Sequence, residues 1–296
     1  MRVALIGFGS WGKNYVSAVL ETRFAKITTV LVRDKKKIDG TNWPGIEFTE
    51  DLDKVDCDAA IIATHPSASI GFAEHFLYRQ IPVMIEKPAG LLVSEAKRLL
   101  DLESLNPVPI LVAHQHLFSS VFQELKIQIQ DEKLRKIEAE SGNQGPFRDY
   151  SFVWDYAPHD LSLIFGLTDP CARLDVIGVH LENQLVGECE ISLLVDMDVE
   201  ARIRIWNSHL PKTRRLKVET TKNLYIYDDQ LSPDALIKGG ELKRVEYRKP
   251  LSVAVSEFLK AVRNSGTSDY RFGARWAMLT ACAIEKIIRE AKQNMT

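Results

Sequence analysis

Arg2-Val3-Ala4-Leu5-Ile6-Gly7-Phe8-Gly9-Ser10-Trp11-Gly12 stands at the N-terminal end, and Lys13 to Leu20 follows with apolar residues at helical spacing. The first five residues read as a buried parallel strand. A strand, a glycine turn and a helix, in that order, form the context in which G-x-G-x-x-G binds a dinucleotide. Gly7 allows the tight turn, Gly9 lets backbone approach a pyrophosphate, and Gly12 lets helix and strand pack closely. The helix N-terminus then offers free N–H groups to the anion. Phe8, Ser10 and Trp11 fill the turn and count with the glycines as cofactor-binding candidates.

The next apolar run is Ile27 to Val32, followed by Arg33-Asp34-Lys35-Lys36-Lys37. An acidic residue about 20 positions past the glycines usually holds the adenosine ribose. Asp34 suits NAD, whereas Arg33 with the lysines suits the 2′-phosphate of NADP. The lean is slightly to NADP.

Further strands are predicted at Cys57–Thr64, Pro82–Ile85 and Ile110–Ala113, alternating with helices at 70–78 and 92–103. That alternation predicts a doubly wound parallel sheet. Ligands of such sheets bind outside the carboxyl ends of the strands. Thr64-His65-Pro66 and Glu86-Lys87-Pro88 both fall there. A lysine beside a bound nicotinamide lies near a cation and partly away from water, which lowers its pKa toward neutrality. Lys87 can then exchange a proton or hydrogen-bond a substrate hydroxyl. Glu86 orients it or fixes the loop, and a cis bond before Pro88 is an option.

A second cluster reads Trp154-Asp155-Tyr156-Ala157-Pro158-His159-Asp160. Pro158 suits the first turn of a helix running on through Phe165. Asp155 then enters from the preceding turn, where its carboxylate orients the His159 imidazole as a general acid or base. The bland alternative is a capping aspartate beside a structural histidine. Metal binding is not expected, because no further His or Cys cluster accompanies these residues.

Composition bounds the rest. The chain has 296 residues, 45% apolar and 26% charged, with net charge −2. That is ordinary globular composition with length for two cores. It gives no reason to expect nucleic-acid or membrane partners. Cys57, Cys171, Cys189 and Cys282 show no C-x-x-C spacing and read as reduced structural thiols, which predicts a cytoplasmic location. No signal peptide, transmembrane stretch or internal repeat is read. After residue 170, alternation at 190–195, 201–206, 216–220, 224–227 and 245–247 predicts an antiparallel sheet with one face on helices. Arg202, Arg204 and Trp206 mark its other face as a candidate subunit interface. The final helix, from Phe272 to Ala291, reads as core packing.

Together, Gly7-x-Gly9-x-x-Gly12, Glu86-Lys87-Pro88 and Asp155-x-x-x-His159 resemble the Gfo/Idh/MocA oxidoreductase family, in its order and approximate spacing. Pro250-Leu251, the helix around Phe258 and the final helix extend the likeness. The resemblance implies a Rossmann domain over 1–116 and an α+β domain over 117–296 with a large, mostly antiparallel open sheet. It implies that Lys87 and His159 contact the substrate carbinol, that His159 exchanges the proton, and that Asp155 binds substrate or orients. It implies hydride transfer between NAD or NADP and a sugar, polyol or nucleotide sugar, in a homodimer or homotetramer formed through the open sheet. His116 and Asp160 join the substrate-binding candidates. Two departures stand out: His116 and Leu117 replace a frequent aromatic-Arg pair, and Ser162 stands where many members carry aspartate. A non-catalytic nucleotide sensor of this fold, or an enzyme using tightly held NAD transiently, are the alternatives.

Overall fold

The computed structural model describes residues 1–38, 43–168, 172–183, 185–264 and 273–293; Cys171 and Phe272 lie outside the described residues. The chain divides into two compact units. The first comprises Met1–His114 with Leu251–Met278, the second Gln115–Pro250 with Leu279–Thr296.

Unit 1 is built on strands β1 (Arg2–Ile6), β2 (Lys26–Leu31), β3 (Glu47–Thr49), β4 (Ala59–Ile62), β5 (Val83–Glu86) and β6 (Ile110–Ala113). They form a six-stranded sheet in the order β3-β2-β1-β4-β5-β6, with every pair parallel. Helices α1 (Gly12–Glu21), α2 (Pro66–Leu77) and α3 (Val93–Leu105) make connections between strands. Val3 to Ile6 and Ala59 to Ile62 are fully buried, as uninterrupted apolar runs in a sheet covered on both faces must be. Burying Leu5 and Ile6 contributes roughly 1.5–3 kcal/mol each. Strand order reverses beside β1, so its carboxyl end is the switch point at which such sheets take ligands. The short strand β3 carries no alternation to announce it. The α2 helix starts earlier than its apolar periodicity suggests, because Pro66 fits its first position and His65 caps it.

Unit 2 contains α4 (Ser120–Gln128), β7 (Leu134–Asn143), α5 (Phe152–Leu167), β8 (Leu174–Leu181), β9 (Gly187–Val195), β10 (Val199–Asn207), β11 (Thr213–Thr220), β12 (Leu224–Asp228), β13 (Ala235–Lys238) and β14 (Glu241–Arg244). Its eight-stranded sheet runs β14-β13-β12-β11-β7-β10-β9-β8. Only the β7–β10 pair is parallel. Ile137, Ala139, Ile203, Ile205, Leu216 and Val218 are buried on one face. Opposite charges pair across strands on the other, with Lys217 2.8 Å from Glu138 and Arg204 2.7 Å from Glu188. Two neighbouring lysines, Lys136 and Lys217, hold the Glu138 carboxyl down at about 2.

Three expectations need correction here. The strand predicted at 245–247 is absent; the last strand is β14, turned back from β13 through Gly239 and Gly240 at positive φ. Trp206 belongs to the charged face but is not an exposed aromatic. It is 4% exposed, donates from its indole to the Pro211 carbonyl at 3.2 Å, and lies where a Cβ on Gly142 would collide with it. The helix around His159 starts at Phe152, capped by Ser151, so Pro158 is inside it rather than in its first turn. The near-complete burial of α5 sustains the helix through the proline.

The C-terminal helices are α6 (Pro250–Arg263) and α7 (Ala274–Gln293). A boundary at 116/117 assigns all later residues to one domain, whereas the described residues of 251–264 and 273–278 group with unit 1. Arg263 stacks on Phe24 at 4.7 Å, and Glu103 accepts a hydrogen bond from the Ala274 N–H at 3.0 Å. No local pattern tells to which body a returning helix docks. Among the described residues, no helix is long and apolar enough to cross a membrane, and no cluster of His, Cys, Asp and Glu could hold a metal ion.

Candidate active site

The glycine turn explains itself sterically. Gly7 has φ +95°, and a Cβ there would sit 2.5 Å from the Ala63 carbonyl oxygen, where β4 ends. A Cβ on Gly12 would sit 2.5 Å from the Gly7 carbonyl oxygen, so α1 and its strand approach too closely for any side chain. At Gly9 a Cβ would meet nothing within 4 Å. The middle glycine is therefore not required by the fold. It leaves open backbone where a pyrophosphate would lie, and α1 has no side-chain cap on its first N–H groups. These residues fit a dinucleotide. Ser10 and Trp11 are exposed beside it, while Phe8 packs edge-on against Trp43 and Phe48 at 5.1 and 5.2 Å.

Past β2, Arg33 is exposed. Asp34 accepts a hydrogen bond from the Lys36 N–H at 3.0 Å, and Lys37 lies 3.7 Å from its carboxylate. At the β4 edge, His65 Nδ1 lies 2.7 Å from the Ser67 hydroxyl, Thr64 is half-buried, and Pro66 begins α2. At the β5 edge, Glu86 accepts a hydrogen bond from the Tyr15 hydroxyl, and the Lys87–Pro88 peptide is cis. Lys87 is half-buried. Parallel pairing of β1 with β4 and of β4 with β5 brings the glycine turn, Thr64 and Lys87 to one edge of one sheet.

In unit 2, Asp155 and His159 are one turn apart on α5. Arg148 Nε donates to Asp155 at 3.3 Å, so the aspartate engages an arginine of the preceding loop. His159 is 7% exposed, and its ring meets that of His116 edge-on at 4.6 Å. Further along α5, Gly166 lets the helix lie close to Leu117 and Phe122, on which a Cβ there would press at 2.9 and 3.0 Å. Ser162, the departure noted above, donates its hydroxyl to the His159 carbonyl at 2.7 Å. Asp160 is 2% exposed and accepts a hydrogen bond from Ser141 of β7. Burial pushes its carboxyl up to about 6. Tyr156 is likewise pushed up to about 12, first by burial and then by Asp155.

Sequence reasoning missed Tyr15, Arg148 and Ser141. Tyr15 carries a readable signal, a hydroxyl on the otherwise apolar buried stripe of α1. Arg148 and Ser141 carry none, because only the folded sheet and loop bring them to α5.

Comparison with known proteins agrees with this fold. Residues 1–114 match the GFO_IDH_MocA model, described as an oxidoreductase family with an NAD-binding Rossmann fold. The rhizopine catabolism protein MocA of Rhizobium meliloti is 24% identical over 188 residues, a match spanning 62% of this chain and 56% of that protein. The UDP-N-acetylglucosamine 3-dehydrogenase of Acidithiobacillus ferrooxidans superposes with TM-score 0.86 at 18% identity, covering 100% of this chain and 99% of that one. A 3-ketoreductase of Actinomadura kijaniata, solved with NADP, superposes with TM-score 0.85 at 12% identity, covering 98% and 97%. At such identities the two structures establish a shared fold. Residues 1–114 thus match the NAD-binding Rossmann domain of the Gfo/Idh/MocA oxidoreductase family.

Proposed function

We propose that the protein is an NAD(P)-dependent dehydrogenase or reductase acting on a CH–OH or carbonyl carbon of a sugar, polyol or nucleotide sugar. The observation that carries this reading is the sheet edge of unit 1, where a glycine turn open at Gly9 and Lys87 come together. When bound, the nicotinamide supplies the hydride donor or acceptor. Lys87 hydrogen-bonds the substrate oxygen and stabilises charge developing on it. His159 takes or gives the hydroxyl proton, and Asp155 and Asp160 with His116 bind or orient substrate. The relative that acts on a nucleotide sugar and the ketoreductase solved with NADP support the substrate class and the cofactor.

NADP is the preferred cofactor in this reading. Asp34, the residue suited to ribose hydroxyls, already caps its own lysine run, while Arg33 is exposed and suits a 2′-phosphate. The charged sheet face, with a depression lined by Glu138, Glu140, Arg202, Arg204, Arg215 and Lys217, supports self-association into a homodimer or homotetramer. A cytoplasmic location fits the free thiols of Cys57, Cys189 and Cys282.

The test is turnover. The purified protein is screened against neutral sugars, polyols and nucleotide sugars with NADP and NAD, following absorbance of the reduced nicotinamide. Oxidation of one class, lost in Lys87→Ala and His159→Ala proteins that still bind cofactor, supports the reading. Cofactor binding with no turnover across the panel favours the sensor alternative.

A further inference from the structure

Tyr15 falls three residues past Gly12, and its side chain is fully buried on α1. A phenylalanine would fill the same space without having to desolvate a hydroxyl, so the tyrosine is informative for its bond rather than its bulk. That hydroxyl donates to Oε2 of Glu86, 71 residues away in sequence. The Trp11 side chain is a further neighbour that acts on this hydroxyl, drawing its pKa down against the larger effects of burial and Glu86. Burial, and after it the Glu86 carboxylate, hold the phenol well above its ordinary range, so it stays protonated and donating.

The two ends of this line carry meaning. Trp11 belongs to the glycine turn, immediately precedes α1 and is 38% exposed. Glu86 ends β5 and is followed at once by Lys87. The path therefore runs from the surface that receives the nucleotide, through one buried hydroxyl, to the backbone that carries the lysine. The bond is charge-assisted, which makes it directional and stronger than a neutral one. It also crosses the sheet edge from the β1–α1 turn to β5, two strands away in the order β1-β4-β5.

We propose that Tyr15 is a positioning residue that, through Glu86, sets the place of Lys87 and couples occupancy of the glycine turn to that amine. This rests on the reading of Lys87 as the group that engages the substrate oxygen. A purely structural staple between α1 and β5 would hold the fold together and leave Lys87 indifferent to cofactor.

Limited acetylation with acetic anhydride, read at each lysine by mass spectrometry, separates the two. Exposed Lys97 serves as the internal reference. In the wild type, saturating NADPH is expected to change the Lys87 rate about fivefold or more relative to Lys97, the scale of an ordinary coupling between sites. In Tyr15→Phe, NADPH should still bind with its affinity changed by no more than about threefold, and the Lys87 response should vanish. An undiminished response in Tyr15→Phe, or no response in the wild type, overturns the proposal. If Tyr15→Phe does not fold, Glu86→Met breaks the same bond from its other end and is read in the same way. Turnover of Lys87→Ala tests the underlying reading separately: full activity there would sink the role of Lys87, whatever the acetylation pattern shows.

Discussion

The two units place their candidate chemistry by different means. In unit 1 the backbone does it: glycines at 7 and 12 are required by contacts of 2.5 Å, and the ends of parallel strands deliver the rest to one edge. In unit 2 the side chains do it: Asp155, His159 and Asp160 project from one buried helix, and their partners come from a loop, a short helical turn and a strand. Backbone-built sites are fixed by local sequence and tolerate little. Side-chain-built sites depend on partners distant in sequence, which can change without disturbing the fold. Reading one sequence therefore goes further in the first unit than in the second.

The largest expected effects test the chemistry on both sides of that comparison. Lys87→Ala and His159→Ala should each lower kcat by about 10²–10⁴, the span of a lost general acid, base or oxygen-stabilising donor. Steady-state kinetics beside a cofactor titration checks this. A kcat within about threefold of wild type in either variant removes that residue from the mechanism.

Next come the glycines, where two neighbouring positions should behave differently. Gly7→Ala places a Cβ against the Ala63 carbonyl at positive φ and should destabilise the protein by about 2 kcal/mol or more. Gly9→Ala meets nothing and should leave stability within about 0.5 kcal/mol. It should nonetheless weaken NADPH binding about tenfold or more, because the methyl group occupies the approach of the pyrophosphate. Denaturant melts and calorimetry measure both. Equal nucleotide affinity in Gly9→Ala would break the contrast between a glycine kept for the fold and one kept for the ligand.

Asp160 gives unit 2 its own test. Its carboxyl is raised from 3.8 to about 6 by burial, so the folded protein holds a proton that the unfolded chain has lost between those values. Stability from this group is fully present below pH 3.8, falls as pH rises toward 6 and is flat above. Asp160→Asn keeps an acceptor for Ser141 and carries no charge to desolvate. It should flatten that slope and stabilise the protein at pH 7 by up to about 3 kcal/mol. Melting curves across pH 4–8 decide it, and an unchanged slope would mean that Asp160 is not what titrates there. The smallest effect is expected on the charged sheet face. There Arg202→Glu alters an exposed side chain and should leave the melting point nearly unchanged, within about 0.5 kcal/mol, yet reduce the mass of the proposed assembly by light scattering.

Particular elements show how far the sequence could be read. β1, β5 and β6 were legible because buried parallel strands are continuous apolar runs. The order of the motifs suggested the family, and the strand-edge position of Lys87 was implied by Pro82–Ile85 before it. By contrast β7 went unread, although it is central to the eight-stranded sheet. Its Lys136-Ile137-Glu138-Ala139-Glu140 alternates, but the outward positions there are all charged, Leu134 and Arg135 before it break the alternation, and the pattern reads as a solvated segment. Pro158 misplaced the start of α5, because proline's preference for a first turn is weaker than the burial that carries the helix through it. The partners of the unit 2 residues were illegible for a simpler reason. Ser141 is 19 residues from Asp160, and no spacing rule connects them.

The central claim is that the turn open at Gly9 is a nucleotide site. Calorimetric titration of the purified protein with NADPH and, separately, NADH tests it most directly. The account predicts saturable binding with NADPH the tighter ligand. Binding of neither, in protein whose denatured supernatant shows no nucleotide absorbance, would contradict it and take the enzymatic reading down as well.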